Sequence, residues 1–226
     1  LAAALEARAS FLLVSTSEIY GKNTADLLGE ESDRILGSPP ASRWTYAAAK
    51  GIDEAFAKGY ADEHGLDVSI VRLFNTVGPR QTGRYGMVVP NLVGQALRGL
   101  PLTVFGDGTQ TRCFSYVGDI VPAMVAIAEH SHPSGQAFNL GGAHEVAIID
   151  LAAAIIKDRV SVSSIEFVPY ARAYAPGFED RQRRVPDNTR AKNLIGYEPA
   201  TTLARMIERV AADLRERGAG TEDLMV

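Results

Sequence analysis

The chain has 226 residues, of which 46% are hydrophobic and 22% are charged, a composition typical of a globular protein with one large core or two lobes. Its formal net charge of −4 at pH 7 gives no indication of a nucleic-acid partner. The single cysteine, Cys113, excludes an intrachain disulfide and a cysteine-rich metal site, and we expect it to be a small buried or half-buried residue.

No apolar run approaches the roughly 20 residues that a membrane-spanning helix needs. The alanine-rich start of the chain contains Glu6 and Arg8, which do not follow the order of a signal peptide. We therefore expect a soluble cytoplasmic protein without a membrane partner.

Short apolar runs of strand length alternate along the chain with segments of helical periodicity. We predict strands at residues 9–15, 68–74, 102–105, 137–142 and 165–168. We predict helices at residues 1–8, 43–64, 88–98, 119–129, 148–157, 189–195 and 202–217. Such alternation predicts an α/β fold with a mostly parallel sheet.

The first predicted strand ends in polar residues. Its apolar run at 11–14 reads Phe-Leu-Leu-Val, which is typical of a buried parallel strand. Four polar residues follow it, namely Ser15, Thr16, Ser17 and Glu18. Open α/β sheets bind ligands at the carboxyl ends of their strands, so these residues form a candidate site. The alternative is that short hydroxyl side chains merely cap the end of the strand.

A tyrosine and a lysine lie four residues apart near the start of the helix predicted at 43–64. On a helix this spacing puts Tyr46 and Lys50 on one face, one turn apart. A lysine ammonium beside a phenol favours the phenolate, which makes the tyrosine a usable base near neutral pH. The alternative for the pair taken by itself is an ordinary amphipathic helix with a solvated lysine.

Five motifs occur in one order along the chain. They read S-T-S-E-I-Y-G at 15–21, Y-A-A-A-K at 46–50, R-L-F-N-T-V-G-P-R at 72–80, P-L-T-V-F-G-D-G-T-Q-T-R at 101–112 and R-R-V-P-D at 183–187. In this order and spacing they resemble the extended short-chain dehydrogenase/reductase family, in its branch of nucleotide-sugar epimerases, dehydratases and decarboxylases. The resemblance covers nearly the whole chain and is closest to UDP-glucuronate decarboxylases.

The resemblance implies a Rossmann-like, doubly wound parallel sheet with a smaller, interleaved α/β substrate lobe. Residues 1–80 would form the carboxyl-terminal half of the dinucleotide-binding domain. Residues 81–226 would form the nucleotide-sugar lobe, with residues 114–142 returning to the main sheet. The family's Gly-x-x-Gly-x-x-Gly loop, which cradles the dinucleotide pyrophosphate, does not occur in the sequence. We therefore expect a chain that lacks about the first four strands of the family fold.

The resemblance also implies NAD as the cofactor and a UDP-sugar as the substrate. Tyr46 would take the proton of the sugar 4-hydroxyl, and Lys50 would also bind the ribose of NAD. Thr16 or Ser17 would share the hydrogen bond to the sugar oxygen. The implied cofactor-binding residues are Ser15, Tyr46, Lys50, Phe74 and Val77. The implied substrate-binding residues are Asn75, Arg80, Asn91, Val104, Phe105, Arg112 and Arg184.

The many small residues of the helix at 43–64 have two interpretations. The resemblance implies that this helix packs against its twin in a homodimer. Close packing of the helix on its own sheet fits the small residues equally well, and both can hold. Arg80 likewise has two interpretations, since it could neutralise an anionic ligand or form a surface salt bridge.

Glu18 bears on the type of reaction. A glutamate here resembles the decarboxylases and dehydratases, which need an extra acid or base, whereas simple 4-epimerases usually carry a small or neutral residue. The 4,6-dehydratases of deoxythymidine-linked sugars have an aspartate where this chain has Ser17, which argues against that reaction. Guanosine-linked dehydratases carry Ser-Glu, so dehydration stays open. The alternative for Glu18 is a strand-end carboxylate that accepts from backbone amides.

The segment at 177–187 resembles the part of UDP-glucuronate decarboxylases in which an arginine, here Arg184, reaches the active site. An arginine can bind a carboxylate or a diphosphate in bidentate fashion, and many epimerases have one here for the diphosphate alone. We predict oxidation at C4 of a UDP-sugar followed by decarboxylation. The alternatives are a 4-epimerase, a dehydratase and a non-catalytic protein that binds nucleotide sugars. The four histidines form no metal-ligand pattern, and we expect no metal.

Overall fold

The computed structural model describes residues 1–38, 44–83, 87–159, 162–173 and 182–218. The helices in these ranges are α1 (Ala2–Glu6), α2 (Thr45–His64), α3 (Val88–Leu97), α4 (Val117–Glu129), α5 (Ile148–Arg159), α6 (Tyr170–Ala173), α7 (Thr189–Ile195) and α8 (Leu203–Glu216). The strands are β1 (Phe11–Thr16), β2 (Val68–Leu73), β3 (Thr76–Val77), β4 (Leu102–Phe105), β5 (Thr111–Cys113), β6 (Ser115–Tyr116), β7 (Gln136–Leu140), β8 (Glu145–Ala147) and β9 (Ile165–Val168). A 3-10 turn, Ser17–Tyr20, directly follows β1.

The central sheet has three parallel strands in the order β1-β2-β7. The register aligns Leu13 with Ile70 and Ile70 with Ala137, so the carboxyl ends of the three strands lie at one edge of the sheet. Consecutive residues of β2 are buried, as expected of a parallel strand that is covered on both faces. The predicted α/β fold with a mostly parallel sheet is confirmed. The exact division into two domains stays a prediction.

Three two-stranded pairs extend the fold beyond the central sheet. β3 pairs with β6 and β4 with β9 in parallel, whereas β5 and β8 are antiparallel. Of these strands, the sequence predicted only β4 and β9. The other four have two or three residues each, which is too short to show an alternation of apolar and polar residues.

Helix α2 lies against the central sheet through small residues. The helix contacts β1 and β2, and Ala47 and Ala57 are buried in it. Gly51 is buried against the guanidinium group of Arg34, where a larger side chain would clash. Gly65 follows the helix in the left-handed conformation, with φ of 67°, and its N–H donates to the carbonyl of Ala61 at 3.1 Å. The predicted helix is confirmed. Its small residues lie on two faces, since Ala47 and Ala57 are buried whereas Ala49 and Ala55 are exposed.

The largest apolar core joins α3, α5 and α8 to β4. Leu92 and Leu151 lie almost wholly buried in it. The side chain of Thr202 accepts a hydrogen bond from the N–H of Arg205 at 3.3 Å and so caps the start of α8. Helix α8 turns one apolar face inward, at helical spacing, through Met206, Ile207, Val210, Ala211 and Leu214.

Two predicted features lie partly outside the described residues. The helix predicted at 43–64 begins in the gap at 39–43, and the decarboxylase-like segment at 177–187 extends into the gap at 174–181. No helix in the described ranges is long and apolar enough to cross a membrane. Within the same ranges, no group of three or more His, Cys, Asp or Glu side chains could hold a metal ion.

Candidate active site

The turn that follows β1 places three candidate residues at the carboxyl end of the central sheet. Thr16 ends β1, and its Oγ1 accepts a hydrogen bond of 3.2 Å from the backbone N–H of Glu18. This bond caps the 3-10 turn, which begins at Ser17. Because the bond uses only a lone pair of the oxygen, the hydroxyl of Thr16 can still donate to a substrate oxygen.

Arg184 lies against this turn although it is distant in sequence. Its Nη1 donates to Oγ of Ser17 at 3.1 Å and to Oε1 of Glu18 at 2.6 Å. The arginine side chain is 3% exposed, whereas that of Glu18 is 23% exposed. Glu18 therefore pairs with a buried cation, and part of its side chain stays exposed to solvent. Three predicted residues from two distant motifs meet at this point.

The first two turns of α2 carry Tyr46 and Lys50 beside the same strand. Nζ of Lys50 donates to the carbonyl of Val14 at 3.1 Å and lies 3.3 Å from Oδ2 of Asp53. The lysine side chain is 24% exposed, and Tyr46 is 53% exposed. The helix thus brings an ammonium group to Val14 of β1, two residues before Thr16, and an exposed phenol lies one turn away on the helix.

A buried polar cluster lies beneath these groups. Oγ of Ser15 donates to Oε1 of Glu54 at 2.5 Å. Glu54 also accepts two bonds from Arg72, at 3.0 Å from Nε and 2.7 Å from Nη2. Burial by itself lowers the pKa of Arg72, but the carboxylate of Glu54 and the phenol of Tyr20 raise it above its ordinary value. The hydroxyl of Ser15, which we predicted to bind the cofactor, is bonded to α2.

The buried polar cluster extends to Tyr20 and Asn139, and none of its residues except Ser15 was predicted as a site residue. The hydroxyl of Tyr20 accepts a bond of 3.0 Å from Nη1 of Arg72 and donates to Oδ1 of Asn139 at 2.7 Å. Burial raises the pKa of Tyr20, and the charge of Arg72 opposes this rise. One signal could have found the cluster, because an arginine within an apolar strand needs a buried acid. Glu54 lies on the same helix face as Lys50, four residues further on.

The residues that follow β2 lie next to β5. Asn75 has a left-handed φ of 35°, which asparagine tolerates better than most residues. Its Nδ2 donates to the carbonyl of Cys113 at 3.1 Å. Arg112 in β5 is half-buried, and its Nη1 donates to the carbonyl of Thr111 at 2.7 Å. Two predicted substrate-binding residues therefore lie on neighbouring segments.

Two other predicted substrate-binding residues lie in different surroundings. Arg80 is exposed, and its backbone N–H donates to Oδ2 of Asp213 in α8 at 2.9 Å. Nδ2 of Asn91 donates to the carbonyl of Gly83 at 2.9 Å. Oδ1 of Asn91 is buried and has no hydrogen-bond partner within the described part of the chain. An orphaned buried acceptor is costly, so this atom marks a point at which a ligand donor would be favourable.

The apolar candidates differ in their exposure. Phe74 is fully buried, and its ring centroid lies 6.1 Å from that of Tyr20. Val77 and Val104 are buried in the core formed by α3, α5 and α8. Phe105, at the end of β4, is half-buried. Among these four predicted residues, Phe105 is the one with side-chain surface left for a nucleotide base.

Comparison with known proteins places this site in a family. The model of the NAD dependent epimerase/dehydratase family matches residues 1–141. The chain belongs to the NAD dependent epimerase/dehydratase family. The resemblance that the five motifs carry is thereby confirmed, and so is the Rossmann-like fold that it implies.

Two relatives in this family have names that state a decarboxylation. The UDP-N-acetyl-alpha-D-glucosaminuronate decarboxylase of Bacillus cytotoxicus is 38% identical over 217 residues, which are 96% of this chain and 67% of the relative. UDP-glucuronic acid decarboxylase 1 of Arabidopsis thaliana is 38% identical over 212 residues, which are 92% of this chain and 46% of that relative.

A solved structure of an epimerase has the same fold. The UDP-glucuronic acid 4-epimerase from Bacillus cereus, in complex with UDP-glucuronic acid and NAD, matches with a TM-score of 0.82 and 28% sequence identity. The match covers 96% of this chain and 65% of that one. This family member thus spans between 46% and 67% of the length of these three proteins.

The thiol of Cys113 predicts a pH dependence of stability for this family member. Burial, together with the charge of Glu145, raises the pKa of Cys113 from 9.0 to about 11. In the unfolded chain the thiol ionises at the lower value. Its contribution to the free energy of unfolding is therefore fully present below pH 9.0 and is lost as the pH rises towards 11. Over this pH window, we expect the free energy of unfolding to fall by up to about 2 kcal/mol more in the wild type than in Cys113→Ala. Denaturant unfolding at both ends of the window measures it, and equal losses would contradict it.

Proposed function

We propose that the complete protein is an NAD-dependent decarboxylase of a UDP-linked uronic acid. The contact of the buried Arg184 with Glu18, at the turn that follows Thr16, carries this proposal. Both residues lie beside α2, the helix that carries Tyr46. The arginine can bind a carboxylate, and the glutamate can deliver a proton. The names of the two relatives, both decarboxylases of UDP-linked uronates, support the same reaction.

The residues at the end of β1 fit the nicotinamide side of NAD. The ammonium group of Lys50 can donate to ribose hydroxyls, and the exposed phenol of Tyr46 lies one turn away. Val14, which is 41% exposed, adds apolar surface beside them. When bound, NAD would accept a hydride from C4 of the sugar and return it after carbon dioxide has left. The sequence holds no glycine loop for the pyrophosphate, so these residues account for the nicotinamide side alone.

Tyr46 acts as the base of the oxidation step. It takes the proton of the sugar 4-hydroxyl as C4 loses its hydride, and Lys50 lies one turn further along the same helix. The hydroxyl of Thr16 donates to the same sugar oxygen and stabilises the negative charge that develops there. Ser17 is 1% exposed and accepts from Arg184, so its hydroxyl orients the arginine.

Oxidation at C4 makes the C6 carboxylate β to a ketone. Arg184 binds this carboxylate before the reaction. The C5–C6 bond then breaks, its electron pair moves into the C4 enolate, and carbon dioxide leaves. Glu18 traps the enolate by giving a proton to C5, and it regains a proton through its solvent-accessible side.

A second candidate reaction is epimerisation at C4. The same base and cofactor would oxidise C4 and return the hydride to the opposite face of the sugar. The match to the UDP-glucuronic acid 4-epimerase favours epimerisation over dehydration and over simple nucleotide-sugar binding. Simple binding has less support because Thr16, Tyr46 and Lys50 are all present and point to redox chemistry at the sugar.

Incubation of the complete gene product with NAD⁺ distinguishes these reactions. We expect UDP-glucuronate or UDP-N-acetylglucosaminuronate to lose the mass of one carbon dioxide, as measured by mass spectrometry of the products. UDP-glucose is the matched control, since it has no carboxylate to lose. A uronate that is converted to its C4 epimer with no loss of mass would establish the epimerase instead.

Replacing Glu18 by alanine separates the oxidation from the decarboxylation. Without a proton donor the enolate is not trapped, so formation of the decarboxylated sugar should fall by about 10²- to 10⁴-fold. Oxidation by Tyr46 should continue and be visible as NADH absorbance. The control is Glu63→Ala, which removes an exposed carboxylate from the end of α2. Loss of NADH formation in Glu18→Ala would contradict this role of Glu18.

We also propose that two copies of the chain associate through α2. Ile52 and Phe56 lie four residues apart on the outer face of this helix and are 56% and 63% exposed. Large apolar side chains on an exposed helix face favour contact with another apolar surface. The homodimer interface would therefore include these two residues together with Ala49 and Ala55, which are exposed on the same helix.

Phe56→Glu should dissociate the homodimer, because it places a charge in an apolar interface. We expect the dimer dissociation constant to rise by about thirtyfold or more, as for the loss of an interface hot spot. Analytical ultracentrifugation of the complete gene product measures this constant. Phe167→Glu is the matched control, since Phe167 is a 53% exposed phenylalanine on β9. A dimer that withstands Phe56→Glu would exclude α2 as its interface.

A further inference from the structure

Polar side chains form a row across the central sheet, one residue before the end of each strand. The register aligns Ser15 of β1 with Arg72 of β2, and Arg72 with Asn139 of β7. All three residues are more than nine-tenths buried. Polar groups at this depth need hydrogen-bond partners inside the protein, so the row has to be connected to its surroundings.

Hydrogen bonds extend this row into a continuous buried chain of Glu54, Arg72, Tyr20 and Asn139. Arg72 donates two bonds to the carboxylate of Glu54 and a third, of 3.0 Å, to the hydroxyl of Tyr20. That hydroxyl donates to Oδ1 of Asn139 at 2.7 Å. Cζ of Arg72 also lies 5.2 Å from the centroid of the Tyr20 ring, which adds a cation–π contact.

Two members of the buried chain, Glu54 and Tyr20, lie on elements that carry candidate catalytic residues. Glu54 belongs to α2, about one turn after Lys50 and two turns after Tyr46. Tyr20 is the last residue of the 3-10 turn that carries Glu18. The hydrogen bonds of Arg72 therefore connect α2, which carries Tyr46, to the 3-10 turn, which carries Glu18.

Asn139 joins the buried chain to the segment of Arg184. Its Nδ2 donates to the carbonyls of Leu28 at 2.8 Å and Asp187 at 3.2 Å. The N–H of Leu28 donates to the carbonyl of Val185 at 2.9 Å, and its carbonyl accepts from the N–H of Asp187 at 3.0 Å. Arg184 directly precedes Val185, so these bonds set the position from which its side chain reaches Glu18.

We propose that the buried chain of Glu54, Arg72, Tyr20 and Asn139 consists of positioning residues. They hold α2, the 3-10 turn that carries Glu18 and the segment that carries Arg184 at fixed distances from one another. The proposal rests on the proposed function, because it concerns the same site. Apolar residues of similar volume are often as stabilising as a buried ion pair, so stability alone does not account for the buried chain. A fully bonded polar network specifies one geometry. Catalysis depends on such geometry, since a misplacement of about 1 Å can lower a rate 10²-fold.

Tyr20→Phe tests the proposal, because it removes one oxygen from the middle of the buried chain and keeps the ring. In the complete gene product we expect kcat for the UDP-uronate to fall by about tenfold to hundredfold, with KM changed by less than about threefold. The ratio of decarboxylated product to NADH should also fall, because Glu18 and Arg184 lose their alignment with the base. The matched control is Tyr60→Phe on α2, which should leave kcat unchanged.

Three results would overturn the proposal. They are an unchanged kcat in Tyr20→Phe, equal losses in Tyr20→Phe and Tyr60→Phe, and a loss that only follows the folded fraction. If Tyr20→Phe does not fold, Ser15→Ala replaces it, since this change frees Glu54 from β1 and leaves the ion pair with Arg72 intact. We then expect kcat to fall at least about threefold, and an unchanged kcat would overturn the proposal.

Failure of the proposed function is distinguishable from failure of the positioning proposal. If the wild type releases carbon dioxide and Tyr20→Phe matches it, positioning alone has failed. If the wild type forms NADH from a UDP-sugar but releases no carbon dioxide, decarboxylation has failed, and positioning is judged from the NADH rates of the same variants. If the wild type does neither, both proposals are overturned.

Discussion

The positive charge of Arg72 inside a buried parallel strand is the constraint on which the geometry of this site depends. A guanidinium group in such a place is tolerated only when its charge is paired and its N–H groups are bonded. Glu54 supplies the charge, and the hydroxyl of Tyr20 and the carbonyl of Glu30 accept the remaining bonds. These partners come from α2, from the 3-10 turn and from the loop between them. The charge and hydrogen bonds that Arg72 requires therefore bring three separate segments together around its side chain.

The topology of the sheet explains why chemistry can be built above this charge. Parallel strands end at one edge, so Thr16 at the end of β1 and Asn75 after β2 are brought to the same side of the molecule. Side chains there lie above the buried row of Ser15, Arg72 and Asn139. The row is a buried, hydrogen-bonded polar layer, and the strand ends next to it carry groups that are partly open to solvent. A ligand at this edge would meet fixed donors and acceptors.

Much of the fold could be predicted because its long elements carry strong local signals. Helix α2 has twenty residues and a glycine cap, and β2 is a continuous apolar run apart from Ser69 and Arg72. The meeting of Glu18 with Arg184 could be expected only from the family resemblance, since no local pattern joins residues so far apart in sequence. Strands of two or three residues, such as β3, depend on pairing partners and show no period of their own.

The buried row escaped prediction for a related reason. Each member is one polar residue near the end of an apolar run, and such a residue at a strand end usually caps the strand. Only the register of three strands reveals that Ser15, Arg72 and Asn139 are neighbours. Register is set by the whole sheet, so a reading of each strand by itself cannot supply it. Polar residues at equivalent positions of neighbouring parallel strands are therefore the pattern to look for.

Arg184 brings this reasoning to the proposed reaction. A guanidinium group that is almost wholly removed from water needs an anion, and Arg184 contacts the carboxylate of Glu18. A uronate substrate brings a second carboxylate, which can take the place of Glu18 at the arginine. The carboxylate of Glu18 would then be released from its bond to Nη1 of Arg184. Binding of the substrate carboxylate would thus free the side chain that the proposed decarboxylation step needs at C5.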